Sequence, residues 1–182
     1  MQIITLGNEL LRQKAKKIDK IDDEITNAAK LMLEILKQEK GVGLAGPQIG
    51  LMKRIFVVSI DGDEERIFIN PSILETSQET AKFEEGCLSV PGVYVDVVRS
   101  ESIKIQAWNE KGKPFTMETS GFLARVIQHE YDHLEGVLFL DRIPELKRDK
   151  LIEKYEKSSV KEEKTMRKKA KRETAKGEEE SK

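Results

Sequence analysis

The chain has 182 residues, of which 36% are charged and only 5% are aromatic, and its formal net charge is −1. This length suits one domain with a substantial hydrophobic core. No apolar run approaches the roughly 18 residues that a membrane-spanning helix needs, and the first residues lack the layout of a signal peptide. The single cysteine forms no internal disulfide, which suits a reducing compartment. We therefore expect a cytoplasmic protein that has no membrane partner.

Charge is distributed unevenly along the chain. The segment from Lys147 to Lys182 carries 14 basic and 9 acidic residues, whereas residues 1–146 carry 18 basic and 24 acidic residues. Beyond about Ser158 apolar residues are sparse, and such a segment cannot by itself offset the entropy cost of folding. We expect a single folded domain over residues 1–158 and a charged extension, helical or disordered, over residues 159–182.

The first predicted elements are two helices. Asn8 can cap a short helix that continues to Leu11, and Asp22 or Asp23 can cap a longer one. Apolar residues recur at helical spacing along the longer helix, which should end by Lys40.

A glycine-rich segment, GVGLAGPQIG, follows at residues 41–50. Four glycines and a proline argue against a regular helix or strand. An exposed linker would not need the apolar residues of this segment, so we expect a packed loop. Its glycines would let backbone approach a ligand closely.

The middle of the chain is predicted to be mainly strand. Arg54–Ile60 and Arg66–Asn70 would form a hairpin that Asn70-Pro71 ends, and the polar residues 74–84 could form an irregular strand. The further strands are Val93–Val98, Ser102–Trp108, Pro114–Thr119 and Val137–Asp141. A final helix around Leu151 and Tyr155 should pack on the domain. The predicted fold class is α+β, with mainly antiparallel sheets around one buried helix and a helix at the C-terminal end.

That buried helix is residues 121–136, GFLARVIQHEYDHLEG, which contains the pattern H-E-x-x-H. Positions i and i+4 share a helix face, so His129 and His133 can bind one metal ion from the same side. Glu130 would then project beside that ion, within reach of a water molecule. These are the only histidines in the chain, so two unrelated packing histidines are the weaker interpretation. Gly136 is a helix stop signal.

A catalytic site of this type needs a third protein ligand. No third histidine exists, and the acidic residues downstream have no recognisable ligand spacing. The remaining soft donor is Cys87, 42 residues before His129. It could be a small buried hydrophobe, a nucleophile activated by a histidine, or a thiolate ligand. The residues alone leave the first and third of these about equal.

The three segments GVGLAGPQIG, EGCLS and HEYDHLEG, in this order, resemble the signature motifs of the peptide deformylases of bacteria and organelles. The likeness covers roughly residues 1–150. Members of that family remove the formyl group from the N-terminal formyl-methionine of new proteins. The resemblance implies a catalytic domain of the deformylase type and a Cys-His-His ligand set. One departure is Gly46, where the family usually has alanine, and this change would loosen the loop.

The resemblance also implies a mechanism. Cys87, His129 and His133 would hold one divalent ion, Fe(II) in the cell and zinc, nickel or cobalt after purification. Glu130 would act as the general base and then the acid. The Gln48 side-chain amide and the backbone N–H of Leu88 would stabilise the oxyanion.

Substrate would be a formyl-methionyl nascent peptide. Family members bind the methionine side chain in an apolar pocket and the peptide backbone on glycines. The matching positions here are Val42, Gly43, Phe83, Glu85, Gly86, Phe122, Arg125 and Val126. The stem of Arg125 would line the pocket while its charge reaches solvent. Glu85 would pair with Arg99, and Asp132 would either orient a ligand histidine or be solvated.

Other functions fit these residues less well. A protease of the H-E-x-x-H class lacks its usual third ligand here, and a structural zinc domain would normally have four ligands. A deformylase relative without activity is the remaining alternative, although all the chemical residues are present. The basic segment around Arg167–Lys169 could contact ribosomal RNA electrostatically, and a solvated tail is an equal alternative.

Overall fold

The computed structural model describes residues 3–158. The chain divides into two compact units, Met1–Ile143 and Pro144–Lys182. Within the described residues, no helix is long and apolar enough to cross a bilayer. The predicted extension over residues 159–182 lies outside the described part.

The first unit is α+β, and its strands pair antiparallel throughout, as predicted. Helix α1 spans Asp23–Gln38 and helix α2 spans Gly121–Leu134. The strands are β1 (Gly43–Ala45), β2 (Ile55–Val58), β3 (Arg66–Thr76), β4 (Thr80–Cys87), β5 (Val90–Ser100), β6 (Ser102–Trp108) and β7 (Pro114–Ser120). Five of them form a sheet in the order β1-β2-β3-β6-β7, and β4 and β5 form a separate two-stranded sheet, the β4–β5 hairpin.

Both N-terminal helices begin as their capping residues predict. Asn8 accepts a hydrogen bond from the Leu10 N–H at 3.0 Å and caps a short 3₁₀ helix, Glu9–Arg12. Asp22 accepts one from the Ile25 N–H at 3.2 Å and caps α1. Each side chain satisfies a donor that has no partner within its helix.

Strand β2 is the centre of the first unit because both of its faces are buried. Phe56 and Val58 pack in a cluster with α2, whereas Ile55 and Val57 pack in another with α1. The alternation of side chains along a strand explains why an uninterrupted apolar run, IFVV, is required here. The two helices therefore lie on opposite faces of the five-stranded sheet.

The prediction that residues 41–50 contain no regular structure was wrong in part. The segment is packed, as expected, but Gly43–Ala45 pairs with Phe56–Val58 as an edge strand, and Gly46–Ile49 forms a 3₁₀ turn. Pairing with β2 outweighs the weak intrinsic preference of glycine for strands.

The expected end of β3 at Asn70-Pro71 was also wrong, because the strand continues to Thr76. Asn70 has a φ of 50°, and the pairing with β6 shifts between Ile69 and Ser72. The Asn70 side chain bonds both the N–H and the carbonyl of Ile18, at 2.8 and 2.7 Å. A bulge held in this way accommodates a proline that cannot donate to the ladder.

The last predicted strand, Val137–Asp141, is instead a 3₁₀ helix over Phe139–Arg142. Asp141 accepts a hydrogen bond from the Leu138 N–H at 2.8 Å, and this local contact competes with extended structure. In the second unit, the predicted final helix is present as α3, residues 145–158.

Candidate functional site

Helix α2 carries the three residues of the H-E-x-x-H motif on buried positions. His129, Glu130 and His133 are 8%, 4% and 1% exposed. The helix follows β7 directly and ends at Leu134, and Gly136 then has a φ of 73°. A Cβ at Gly136 would lie 2.5 Å from the Arg12 carbonyl oxygen, so glycine is needed for this close approach.

Cys87 is the last residue of β4, and the β4–β5 hairpin brings it to α2. Its Sγ lies 3.3 Å from Nε2 of His133. The ligand atoms of Cys87, His129 and His133 all lie within 4.8 Å of one another. This compact set of one sulfur and two nitrogens matches the ligand set that the motif resemblance implies.

Glu85 orients one of the two histidines. His129 Nδ1 lies 2.9 Å from Glu85 Oε2, which leaves Nε2 free for another ligand. The predicted Arg99 contact is present, with Nε 2.7 Å from Oε1 and Nη2 2.9 Å from Oε2. Asp132 was expected either to orient a ligand histidine or to be solvated, but it is buried and accepts hydrogen bonds from Arg99 and Arg142.

Glu130 has the features of a poised acid–base group. Among the described residues, its Oε2 is one of two buried side-chain atoms without a hydrogen-bond partner, and Nδ1 of His133 is the other. Gly43 makes room for the carboxylate, because a Cβ there would lie 2.3 Å from Glu130 Oε1. The glycine-rich segment therefore matters sterically at this position.

Burial and neighbouring charges set the protonation of the site. Burial raises the pKa of Glu130 to about 7, against the positive charges of His129 and Arg99. Burial would lower the pKa of His129, but hydrogen bonds with Cys87 and Glu85 raise it to about 10. Burial and the charge on His129 hold the pKa of His133 well below its ordinary value. For Glu85, burial is outweighed by hydrogen bonds from His129 and Arg99, so its pKa is lowered.

Gln48 reaches the site from the 3₁₀ turn after β1. Its Oε1 accepts a hydrogen bond from the Ala45 N–H at 2.7 Å. Its Nε2 lies 3.2 Å from Ser89 Oγ and 3.5 Å from Cys87 Sγ. The amide donor is therefore held beside the candidate metal ligands, and Leu88 lies on the adjoining wall of the cavity.

The departure at Gly46 lies in a closely packed part of this turn. Gly46 is buried, and a Cβ there would lie 2.6 Å from the Leu51 carbonyl oxygen and 2.9 Å from that of Lys53. Backbone carbonyls thus occupy the space that a methyl group would need.

A cavity of about 510 Å³ opens at the ligand set. Seven of the eight predicted substrate-binding residues line it: Val42, Gly43, Glu85, Gly86, Phe122, Arg125 and Val126. The eighth, Phe83, is outside the lining, but its ring lies 6.4 Å from that of Phe122 in an edge-to-face arrangement. Phe83 and Phe122 are both about half exposed.

The prediction that the charge of Arg125 reaches solvent was wrong. Arg125 is only 7% exposed. Its Nη1 donates to Glu85 Oε1 at 2.6 Å and to the Val97 carbonyl at 3.1 Å. Its Nη2 donates to the Ala81 carbonyl at 2.6 Å. The side chain does not need to extend its charge into solvent, because buried acceptors satisfy the guanidinium.

Sequence reasoning missed several residues of the site. Ser89 is buried against Gln48, and its place in the EGCLS motif could have indicated it. Lys40, Pro91 and Tyr94 also line the cavity. No sequence pattern points to them, because they meet only when α1 and the β4–β5 hairpin are placed together.

The residues present fit a divalent metal ion. One thiol and two imidazoles form a donor set that suits zinc, iron or cobalt. One imidazole is oriented through its second nitrogen, as is usual for metal-binding histidines. Three protein ligands leave a position open, which distinguishes catalytic from structural sites.

Comparison with known proteins decides the family. The family model described as polypeptide deformylase matches residues 1–149. The chain belongs to this family. The peptide deformylase of Borreliella burgdorferi is 49% identical over 156 residues, covering 85% of this chain and 94% of that protein. Peptide deformylase 1 of Clostridium perfringens is 53% identical over 135 residues, covering 74% and 91%.

Solved structures of the family agree with the fold. The Synechococcus elongatus peptide deformylase in complex with actinonin has a TM-score of 0.81 and 39% identity, covering 85% of this chain and 86% of that one. The Legionella pneumophila peptide deformylase has a TM-score of 0.83 and 39% identity, covering 88% and 96%. The predicted family and fold class are confirmed, and the chain is an enzyme of the hydrolase class.

Adding a methyl group at Gly43 should impair activity more than stability. In Gly43→Ala the Cβ and the Glu130 carboxylate cannot both keep their places. We expect activity to fall by about 100-fold, since displacing a catalytic group by about 1 Å has this effect. Gly62→Ala is the control for a methyl group added away from the site: no atom lies within 4 Å of its Cβ position, and its φ of 81° strains only the turn, so any loss there is one of folding. If Gly43→Ala were as active per folded molecule as Gly62→Ala, the steric argument would fail.

Proposed function

We propose that the chain removes the N-terminal formyl group, as formate, from formyl-methionyl nascent polypeptides. The observation that carries this proposal is the Glu130 carboxylate, buried and unpartnered beside Cys87, His129 and His133. A buried carboxyl group is retained without a partner when it has a chemical task. The cavity beside it has room for a peptide end.

The mechanism assigns one proton-transfer role to Glu130. A divalent ion held by the three ligands would supply Lewis-acid activation of water and of the formyl carbonyl. Glu130 accepts the proton of the attacking water and then donates a proton to the leaving amine. Burial raises the pKa of Glu130 above the ordinary value of a carboxyl group, which favours the acid form that the second step needs. Burial excludes bulk water from this exchange.

Gln48 and Leu88 are proposed to stabilise the oxyanion, through a side-chain amide and a backbone N–H. The support for Gln48 is its fixed amide, whose oxygen is bound by the Ala45 N–H so that its nitrogen is presented to the site. A donor fixed before the reaction needs no reorganisation as charge develops.

Gln48→Ala should therefore lower turnover by about 10²–10³-fold, or ~3 kcal/mol of barrier, with a smaller change in KM. Ser89→Ala is the matched control, because it removes the other partner of the Gln48 nitrogen while leaving the amide in place. Steady-state formate release measures both variants. Equal turnover for Gln48→Ala and the parent enzyme would remove Gln48 from the mechanism.

The substrate side of the proposal rests on the shape of the cavity. Val42, Val126 and Phe122 supply apolar surface for a methionine side chain. Gly43 and Gly86 bring backbone to the same cavity, where it can bond an extended peptide. Phe83 would cover the entrance through its contact with Phe122.

The resident metal in the cell is proposed to be Fe(II), with zinc, nickel or cobalt as substitutes. The donor set alone does not distinguish these ions. Metal analysis of protein purified without oxygen tests the assignment, and a full equivalent of zinc with no iron would refute it.

The direct test is formate release from formyl-Met-Ala-Ser by enzyme prepared without oxygen and loaded with Fe(II) or Ni(II). Activity is expected in both forms. Unformylated Met-Ala-Ser and longer peptides are the controls, because cleavage of their internal bonds would favour the protease alternative. Absence of formate release with metal bound would refute the proposal.

The remaining parts of the proposal concern the cell. We place the protein in the cytoplasm, with the catalytic domain over residues 1–158 and a basic extension that could contact ribosomal RNA. The support is the excess of basic residues after Lys147. Unchanged ribosome co-sedimentation at low salt after deletion of residues 159–182 would dismiss this contact.

A further inference from the structure

The ligand set is assembled from two parts of the fold that do not share a sheet. Cys87 lies on the β4–β5 hairpin, and His129 and His133 lie on α2. Strands β4 and β5 pair only with each other among the described strands. Side-chain contacts between the hairpin and α2 therefore contribute to the distance between the thiol and the two imidazoles, together with backbone bonds such as that from the Leu6 N–H to the Ser89 carbonyl.

Arg125 contacts the hairpin at three places from its position on α2. Its guanidinium donates to the carbonyls of Ala81 on β4 and Val97 on β5, and to the carboxylate of Glu85 on β4. The phenyl ring of Phe83 covers the group, with Cζ 5.8 Å from the ring centroid. A planar guanidinium presents its donors in a rigid fork and can bridge acceptors that lie apart, whereas the donors of a lysine ammonium all lie at one nitrogen.

The shared carboxylate connects Arg125 to the metal ligands. Arg125 and His129 are four residues apart, so they lie on one face of α2. Glu85 accepts a hydrogen bond from Arg125 on Oε1, and its Oε2 is hydrogen-bonded to Nδ1 of His129. Glu85 and Cys87 both lie on β4, and their side chains approach His129 and His133 of α2, respectively. One carboxylate thus joins both parts of the ligand set.

We propose that Arg125 is a positioning residue that holds the β4–β5 hairpin on α2 and so sets the place of Cys87 and the orientation of His129 for metal binding. Arg99 supports the same carboxylate, but from within the hairpin, and reaches α2 through Asp132. Arg125 therefore reaches from α2 to the hairpin, and Arg99 reaches from the hairpin to α2. This inference rests on the metal site of the proposed function but not on the reaction.

Burial makes the arrangement costly to disturb. Arg125 is 7% exposed and Glu85 is 6% exposed. Removing the guanidinium would leave a buried carboxylate and two strand carbonyls with fewer donors. Outer-sphere partners of this kind typically affect metal affinity by 10–100-fold.

The test is Co(II) binding by Arg125→Met, measured by competition with a chelator and by the thiolate-to-cobalt absorption band. We expect affinity to fall by about 10–100-fold and the band to weaken, because Cys87 no longer meets the imidazoles. Arg125→Lys keeps the charge, but its compact ammonium group cannot reach all the acceptors of the guanidinium, so it should recover part of both. Arg66→Met is the matched control, since Arg66 pairs with Asp63 at a turn.

The outcomes separate this inference from the proposed function. Parental affinity and absorption in Arg125→Met would overturn the positioning role, even if the variant were less stable to heat. If Arg125→Met did not fold, parental Co(II) binding by Arg125→Lys would overturn it. Absence of a thiolate band in the parent protein with Co(II) would overturn both the metal site and this inference. Formate release by the parent is measured separately and tests only the reaction.

Discussion

Glu130→Gln is expected to release formate about 10²–10⁴-fold more slowly than the parent while binding the same amount of metal. Glutamine has nearly the volume of glutamate, so the space beside Gly43 can accept it. It cannot accept the proton of water or return one to the leaving amine, and general acid–base catalysis commonly contributes a factor of this size. Turnover and metal content of the same preparation are the measurements.

The retained metal is what makes this experiment decisive. Glu130 is not among the three residues whose ligand atoms cluster, so the isosteric change should leave metal content equal to that of the parent. Loss of metal together with activity would show that Glu130 is a ligand. Turnover within tenfold of the parent would exclude it as the general base.

Cys87→Ala is expected to lose metal and, with it, activity. The thiol is one of three donors within 4.8 Å of one another, and two imidazoles alone form an incomplete site. Because changes in groups around the ligands already lower affinity by 10–100-fold, loss of a ligand should lower it by at least about 100-fold. Metal content after dialysis against a weak chelator, with Ser89→Ala as the control, measures the effect.

The same experiment decides between the roles that sequence reasoning left open for this cysteine. A nucleophile would be required for turnover but not for metal retention, so an inactive Cys87→Ala with parental metal content would refute the ligand role. A buried packing residue would affect stability alone. Since Cys87 is the only cysteine, protection of the thiol from alkylation by bound metal is an independent measurement.

The fold was predictable where side-chain periodicity and capping act locally. The bounds of β6 were predicted without error and those of β7 to one residue, because alternation and turn residues define both strands. Helix α2 follows equally from its apolar stripe. The extension of β3 past Pro71 could not be predicted, because it depends on Asn70 bonding Ile18, a contact across 52 residues.

The candidate metal ligands and Glu130 could be predicted from the sequence, but the residues that hold them in place could not. Two histidines and a glutamate in one helical turn indicate a metal site without knowledge of the fold, and the motif resemblance adds the cysteine. The buried guanidinium of Arg125 was missed because sequence gives no sign that the Ala81 and Val97 carbonyls converge on it. Such contacts exist only after strands and helix have been placed.

Strand β2 has a consequence for the cooperativity of unfolding. Its Phe56 and Val58 belong to the cluster on the α2 side, and its Ile55 and Val57 belong to the cluster on the α1 side. If either cluster opened, one face of β2 would be exposed, and the strand would lose part of the burial that holds it in place for the other cluster. Helix α1 carries no candidate metal ligand, but its packing is coupled thermodynamically through β2 to that of α2, which carries two. We therefore expect the first unit to unfold in a single transition.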